Sequence, residues 1–343
     1  MARTALACPD KFRGSLGAPA AADAIADGLR GSGWDPVALP LADGGEGTLE
    51  VVVAARGGAL RFQRVTGPLG DPVDAAWGRL PDGTGVVEMA KASGYALTGG
   101  RNDPLRATTR GTGELIRAAC AAGCRRILVG VGGSATTDGG LGALEALGWS
   151  LGGAQVTVAC DVRTTFVDAA RVFAPQKGAT PAQVELLVRR LERLADLYEA
   201  RTGVQVRDVP GSGAAGGLAG GLAAIGARLE AGFDVVAEAV GFLDALEDAE
   251  LVVTGEGRLD ASSFEGKVVG EVLERASAAG VARLGVVAGE ITRDAAQRLA
   301  SAGVLAEALL ELAPRPAEAF ARAGELVTEA AARIGRRAAG HQG

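Results

Sequence analysis

Histidine is nearly absent: His341, in the polar tail, is the only one in 343 residues. A mechanism built on a histidine base or a histidine metal ligand is therefore excluded. Aromatic residues make up 4% of the chain. No apolar run reaches the ~18 residues that a membrane span needs. The four cysteines, Cys8, Cys120, Cys124 and Cys160, show no C-x-x-C spacing, so neither a zinc site nor a disulfide framework is indicated. No basic tract stands out and the formal net charge is −6, which argues against a nucleic-acid partner. The first apolar stretch, Ala5 to Cys8, is cut by Pro9, Asp10 and Lys11, too short for a signal-peptide core. A cytoplasmic protein with neither membrane nor nucleic-acid partners is the expectation.

Glycine is plentiful, with 53 residues, about twice the usual ~7%. The glycines cluster without a three-residue period, which excludes collagen and suits a backbone that closely approaches a ligand. An apolar fraction of 48% is ample for a core, and the length suggests about two domains.

Apolar runs alternate with glycine turns and alanine-rich helical patterns. Thr4–Cys8 and Pro36–Leu41 read as strands, and Ala18–Leu29 and Glu46–Ala55 as helices. From Gln63 to Glu88 the punctuation becomes that of antiparallel hairpins, with Gly67-Pro68 and Pro81-Asp82-Gly83 between short apolar runs. Helical periodicity returns at Gly113–Ala122, followed by strands at Arg126–Val131 and Gln155–Asp161 and a long amphipathic helix at Pro181–Arg201. Strands at Ala249–Thr254, Leu284–Ala288 and Leu305–Leu312 alternate with helices to the end. The pattern predicts a five-stranded parallel sheet from residues 1–62 and 232–343, with a second α/β domain, 63–231, inserted.

Ligands of open parallel sheets bind at the carboxyl ends of the strands. Almost every expected strand end here presents an acid, a glycine or both: Asp10, Asp43 with Gly44 and Gly45, Gly132 and Gly133 with Asp138, Asp161, and Glu256 with Asp260. Glycine turns at helix N-termini expose N–H groups that suit phosphate. Carboxylates at the same rim suit Mg²⁺, and Lys11, Arg13, Lys177, Arg258 and Lys267 supply cations for phosphate or a carboxylate. Acids, glycines and bases without histidine point to phosphoryl transfer, which depends on positioning and charge stabilisation. The segment from Gly130 to Ala135 lacks the downstream acid of a dinucleotide fingerprint, and Gly266-Lys267 fails the Walker A pattern. Cys160 reads as a small buried hydrophobe, with no histidine to activate it.

The chain resembles the bacterial glycerate kinase type 1 family. The matching segments are Cys8–Leu16, Leu41–Thr48, Pro104–Leu115, Gly132–Gly140, Ala159–Val162, Pro175–Ala179, Gly211–Gly217 and Thr254–Asp260, in family order and spread over nearly the whole chain. The resemblance implies two α/β domains, one flavodoxin-like and the other inserted into it, with the site in the cleft. It implies ATP-dependent phosphorylation of D-glycerate with Mg²⁺, 2-phosphoglycerate being favoured over 3-phosphoglycerate, and allows for a homodimer. A kinase for another small hydroxy acid, or an inactive homologue with a binding role, are the alternatives. The chain departs from the family pattern at Gly17 and Ser262, in the segment after Asp161, and by a shorter stretch between Leu151 and Val156.

On this reading Lys11 or Arg13, with Asp10 and Ser134, binds the substrate. Asp43 or Asp138 orients the hydroxyl and accepts its proton, and Lys177 stabilises the transferred charge. Gly132, Gly133, Gly211, Ser212, Gly213, Gly216 and Gly217 receive nucleotide phosphates. Asp161, Glu256 and Asp260 hold Mg²⁺.

Overall fold

A computed structural model describes residues 3–313 and 315–340; His341 lies outside them. The described residues form strands β1 (Arg3–Ala7), β2 (Trp34–Ala38), β3 (Ala59–Thr66), β4 (Pro72–Arg79), β5 (Gly85–Glu88), β6 (Arg126–Gly130), β7 (Gln155–Cys160), β8 (Arg228–Ala231), β9 (Leu251–Leu259), β10 (Arg283–Ile291) and β11 (Leu305–Ala308). They divide into a five-stranded sheet ordered β11-β10-β9-β1-β2 and a six-stranded sheet ordered β3-β4-β5-β6-β7-β8. Compact packing separates Met1–Ala42 with Val236–Gly343 from Asp43–Val235. No helix of the described residues is long and apolar enough to cross a membrane.

The first unit is the expected parallel sheet. Its pairs β1–β2, β1–β9, β9–β10 and β10–β11 are all parallel. Taken in the order in which the strands enter this sheet, the arrangement is 2-1-3-4-5, that of flavodoxin-like folds. Residues alternate between the two faces. Leu251, Val253 and Val287 pack against the helix α1 (Ala18–Gly31) and the helix Ala323–Ala338, whereas Val286 and Ala288 pack with Val269, Ala295 and Leu299. The crossing of α1 with Ala323–Ala338 is close because its contact residues are small: a Cβ at Gly28 would lie 2.9 Å from that of Ala331. Ile25, Leu29 and Ile334 are wholly buried there, each worth about 1.5–3 kcal/mol of apolar burial.

Two strands end differently from the sequence reading. β2 begins at Trp34 and contains Pro36, which an edge strand tolerates because one side has no ladder to join. The expected strand Leu305–Leu312 stops at Ala308, and Leu309–Leu312 is one helical turn.

The second unit is mixed. β3, β4 and β5 pair antiparallel, and β5 to β8 pair parallel. The β3–β4 turn uses the glycines seen in the sequence, with Gly67 N donating to Asp71 O and Gly70 N to Gly67 O. The core gathers Leu115, Ile116, Val129, Val158, Phe166 and Tyr198. Tyr198 packs edge-on to Phe166 and Trp149, and its hydroxyl donates to Gly139 O at 2.9 Å. The division falls at Ala42, upstream of the boundary at residue 62 expected from composition. The helix α2 (Thr48–Ala55) lies against the second sheet: a Cβ on Gly78 of β4 would come within 3.0 Å of Leu49 Cδ1. β3 itself runs through residue 62.

Candidate functional site

In the first unit the polar residues gather after β1 and along the end of β9. Asp10 N donates to Gly255 O, and Asp10 Oδ1 accepts from Lys11 N at 2.7 Å with Lys11 Nζ 3.7 Å away. Arg13 is exposed on the following turn. Glu256 is largely buried, its Oε1 has no hydrogen-bond partner among the described residues, and burial pushes its carboxyl up to about 7. Asp260 caps the turn Ala261–Phe264, accepting from Ser262 N at 2.9 Å and Ser262 Oγ at 2.6 Å. Those bonds from Ser262 hold the Asp260 carboxyl below the usual range. Ser262, where the family pattern differs, also accepts from Lys267 Nζ at 2.8 Å. Arg258 lies 3.8 Å from Glu290.

In the second unit the loop Asp43–Gly47 leads into α2. Gly44 has φ +87°, and a Cβ there would stand 2.8 Å from Ala159 Cβ, so only glycine fits. Its carbonyl accepts from Val131 N at 3.0 Å, tying the loop to the end of β6. Asp43 Oδ1 accepts from Gly45 N at 3.1 Å. The turn Gly132–Ser134 follows β6 beside Gly45, so close that a Cβ on Gly132 would clash with Gly45 Cα. The N–H groups of Gly132, Gly133 and Ser134 have no backbone partner among the described residues.

Lys177 lies behind that turn. It is buried, and its Nζ donates to Ser134 Oγ at 2.7 Å and to Thr136 O at 2.6 Å. Burial brings its ammonium down to about 7, against the opposing pull of Asp138. Asn102 braces the same place, its Nδ2 donating to Ala135 O and Lys177 O. Asn102 did not stand out in the sequence, because a lone asparagine in a loop carries no pattern.

Two expectations change. Asp138 is not a free acid. Its Oδ2 accepts from Thr109 N at 2.8 Å and Thr109 Oγ1 at 2.9 Å, and its Oδ1 from Gly140 N at 3.1 Å. It joins the β6 loop to the helix Arg110–Ala121 and so positions backbone. The run Gly211–Gly217 is buried throughout and is no open phosphate loop. The N–H groups of Ser212, Gly213 and Gly217 donate to Val209 O, Thr164 O and Gly213 O. Gly216 is packed on Thr137 and Gly217 on Gly139, at 2.7 and 2.8 Å from a would-be Cβ to the respective Cα atoms, so these glycines serve close packing. Asp161 belongs to one unit and Glu256 and Asp260 to the other, and no group of three or more His, Cys, Asp or Glu side chains is assembled for a metal among the described residues. Cys160 is buried as expected, its thiol pushed up to about 12 by burial and by the charge of Asp161.

An unexpected acid completes the second-unit site. Glu88, at the end of β5 and 1% exposed, accepts through Oε2 from Gly47 N at 3.0 Å and Leu49 N at 3.2 Å.

These strand ends, in an inserted α/β arrangement, define a two-domain α/β protein with acid- and glycine-rich rims. The model of the glycerate kinase family matches residues 5–155 and 149–339. The chain is 43% identical over 324 residues to a glycerate kinase of Bacillus subtilis (strain 168), covering 83% of this chain and 85% of that one. It is 42% identical over 298 residues to the glycerate 2-kinase of Escherichia coli (strain K12), covering 76% and 78%. The crystal structure of a provisionally named glycerate kinase 2 from Salmonella typhimurium LT2 superposes with a TM-score of 0.83 at 34% identity, over 99% of both chains. The chain belongs to the glycerate kinase family. The type 1 label that its motifs suggested is not retained: the family model carries no type, and the Salmonella relative bears the number 2.

Proposed function

We propose that this chain transfers the γ-phosphoryl group of ATP to D-glycerate and releases 2-phosphoglycerate. One observation carries the reading: the Gly132–Ser134 turn lies against the acidic Asp43–Gly47 loop and is backed by the buried cation Lys177. The regiochemistry follows the Escherichia coli relative, which is named a glycerate 2-kinase.

On this reading Asp43 orients the substrate hydroxyl and takes its proton as the new oxygen–phosphorus bond forms and ADP leaves. With Oδ1 engaged by Gly45 N, Oδ2 is the oxygen left for that task. The N–H groups of Gly132 and Gly133 receive phosphate oxygens, and Lys177 holds Ser134 while offsetting the developing charge. Lys11 and Arg13 offer cations for the glycerate carboxylate.

Magnesium fits the first unit in one respect. The buried, unpartnered Oε1 of Glu256 suits a hard cation, with Asp10 and Asp260 among the charges acting on that carboxyl. With no three-acid cage assembled, the ion would be held by one or two carboxylates, water and substrate phosphates, and would supply charge neutralisation.

A coupled ADP-release assay with Mg-ATP and D-glycerate tests the proposal, with L-glycerate, glycolate and tartronate as controls and phosphorus NMR of the product. D-glycerate-dependent turnover giving 2-phosphoglycerate is expected. Turnover only with another hydroxy acid, or nucleotide binding without turnover by folded protein, would overturn it.

A further inference from the structure

The loop that carries Asp43 needs something to fix it. Its glycines at 44, 45 and 47 supply no side chains, and Gly47, the residue preceding α2, offers no side-chain cap to that helix. The cap comes from elsewhere in the fold. Glu88 reaches across from β5, and its Oε2 takes the N–H groups of both Gly47 and Leu49. A carboxylate in this position satisfies two otherwise orphaned donors and complements the positive end of the helix.

The carboxylate is nearly inaccessible, and burial raises its pKa while its two backbone donors and Lys91 pull the other way. Lys91 Nζ lies 3.8 Å from Glu88 Oε1 and donates to Glu50 Oε1 at 2.7 Å. Glu50 lies on α2 itself, so Lys91 ties the same helix a second time. Upstream, Thr48 Oγ1 donates to Gly45 O, and Gly44 O accepts from Val131 N. An unbroken chain of bonds therefore runs from Glu88 through the helix start to the backbone beside Asp43.

We infer that Glu88, with Lys91 as its counter-ion, is a positioning residue that sets the Asp43–Gly47 loop against the Gly132–Ser134 turn for turnover. The inference rests on the proposed role of Asp43. Glu88 touches no substrate; it acts by fixing where the Asp43 carboxylate stands. A misplacement of about 1 Å at such a residue costs on the order of 100-fold in rate.

The experiment compares wild type, Glu88→Gln, Asp43→Asn and the double variant by steady-state kinetics, with thermal unfolding of each. Glu88→Gln keeps the shape and one acceptor but loses the charge. Its kcat is expected to fall roughly 10- to 100-fold while KM for D-glycerate and ATP stays within about threefold. In the double variant, Glu88→Gln is expected to add little to Asp43→Asn, because the Asp43 carboxylate whose place it sets is then gone. A lower melting temperature with unchanged kcat, a matched rise in KM, or full additivity in the double variant would each overturn the inference. Should Glu88→Gln not fold, Lys91→Met removes the counter-ion and leaves the backbone bonds of Glu88 in place. It is expected to lower kcat several-fold without moving KM, and unchanged kcat there overturns the inference. The two readings separate cleanly. If Asp43→Asn itself keeps full turnover, the role of Asp43 falls and this inference with it. If Asp43→Asn is inactive and Glu88→Gln is not impaired, only the inference fails.

Discussion

Lys177 Nζ stands 2.7 Å from Ser134 Oγ and 2.6 Å from Thr136 O, inside the protein and behind the turn that follows β6. Its ammonium is brought down to about 7 by burial. A free lysine titrates near 10.4. Between those values the unfolded chain binds a proton that the folded chain does not, so this group makes stability rise with pH. Its penalty is largest below pH ~7 and has gone above ~10. Urea unfolding of wild type and Lys177→Met at pH 6.5, 8 and 9.5 measures the effect as a difference. The stability gap between the two is expected to shift in favour of wild type as pH rises, whatever its absolute size. A constant gap would show that Lys177 keeps its proton throughout.

The same proton has a kinetic signature under the proposed function. Transition-state stabilisation needs the cation, and kcat/KM reports the protonation state of the free enzyme. The kcat/KM for ATP is expected to decline as pH rises through about 7. Lys177→Arg, whose charge does not titrate in this range, should be slower at its best pH but lack that limb. A wild-type profile flat from pH 6 to 9 would remove Lys177 from charge stabilisation and leave it as the brace of Ser134.

Gly17 offers a small, clean test of a departure from the family pattern. It precedes α1 in extended conformation, φ −68° and ψ 156°, and provides no side-chain cap. A Cβ there would meet only Pro19 Cδ, at 3.9 Å. Serine at such a position accepts from the N–H of Ala20, Pro19 having none. Gly17→Ser is therefore expected to stabilise the protein by a few tenths of a kcal/mol, a rise of about 1 °C in Tm. Unchanged or lower Tm by calorimetry would mean that water already satisfies that helix end as well.

The parallel sheet was legible because its strands are buried on both faces and write themselves as short apolar runs, as in Leu251–Thr254. β9 ran five residues further than that, to Leu259, because its later residues Arg258 and Leu259 pair with Glu290 and Ile291 of β10. Sequence shows the run but not the partner that prolongs the ladder. The site was legible by residue type and less so by role. Asp138 beside Gly139 and Gly140 has the composition of an exposed acid, yet Thr109, 29 residues earlier, occupies its Oδ2. The glycines at 211–217 read as an open loop because glycine serves close packing and ligand approach equally well. Nothing in the sequence singles out Glu88, which ends a short strand, since the helix it caps starts 40 residues upstream at Thr48.

Under the proposed function, Asp43 and Asp138 separate chemistry from architecture most sharply. Both are acids in glycine-rich turns, and both stood as candidates to accept the hydroxyl proton. Asp138 is nearly buried and receives N–H and O–H donors from Thr109 and Gly140. Asp138→Asn turns one acceptor oxygen into a donor facing those donors, and stranding buried donors costs about 1–3 kcal/mol each. A loss of about 2–4 kcal/mol in urea unfolding is expected, with any fall in turnover tracking the folded fraction. Asp43 is half-buried and its one side-chain bond among the described residues is from Gly45 N, which an asparagine oxygen accepts equally well. Asp43→Asn should therefore stay within ~0.5 kcal/mol of wild type while kcat drops at least ~100-fold. The reverse pattern, a stable and inactive Asp138→Asn beside an active Asp43→Asn, would exchange the two roles and move the proton acceptor to the loop after β6.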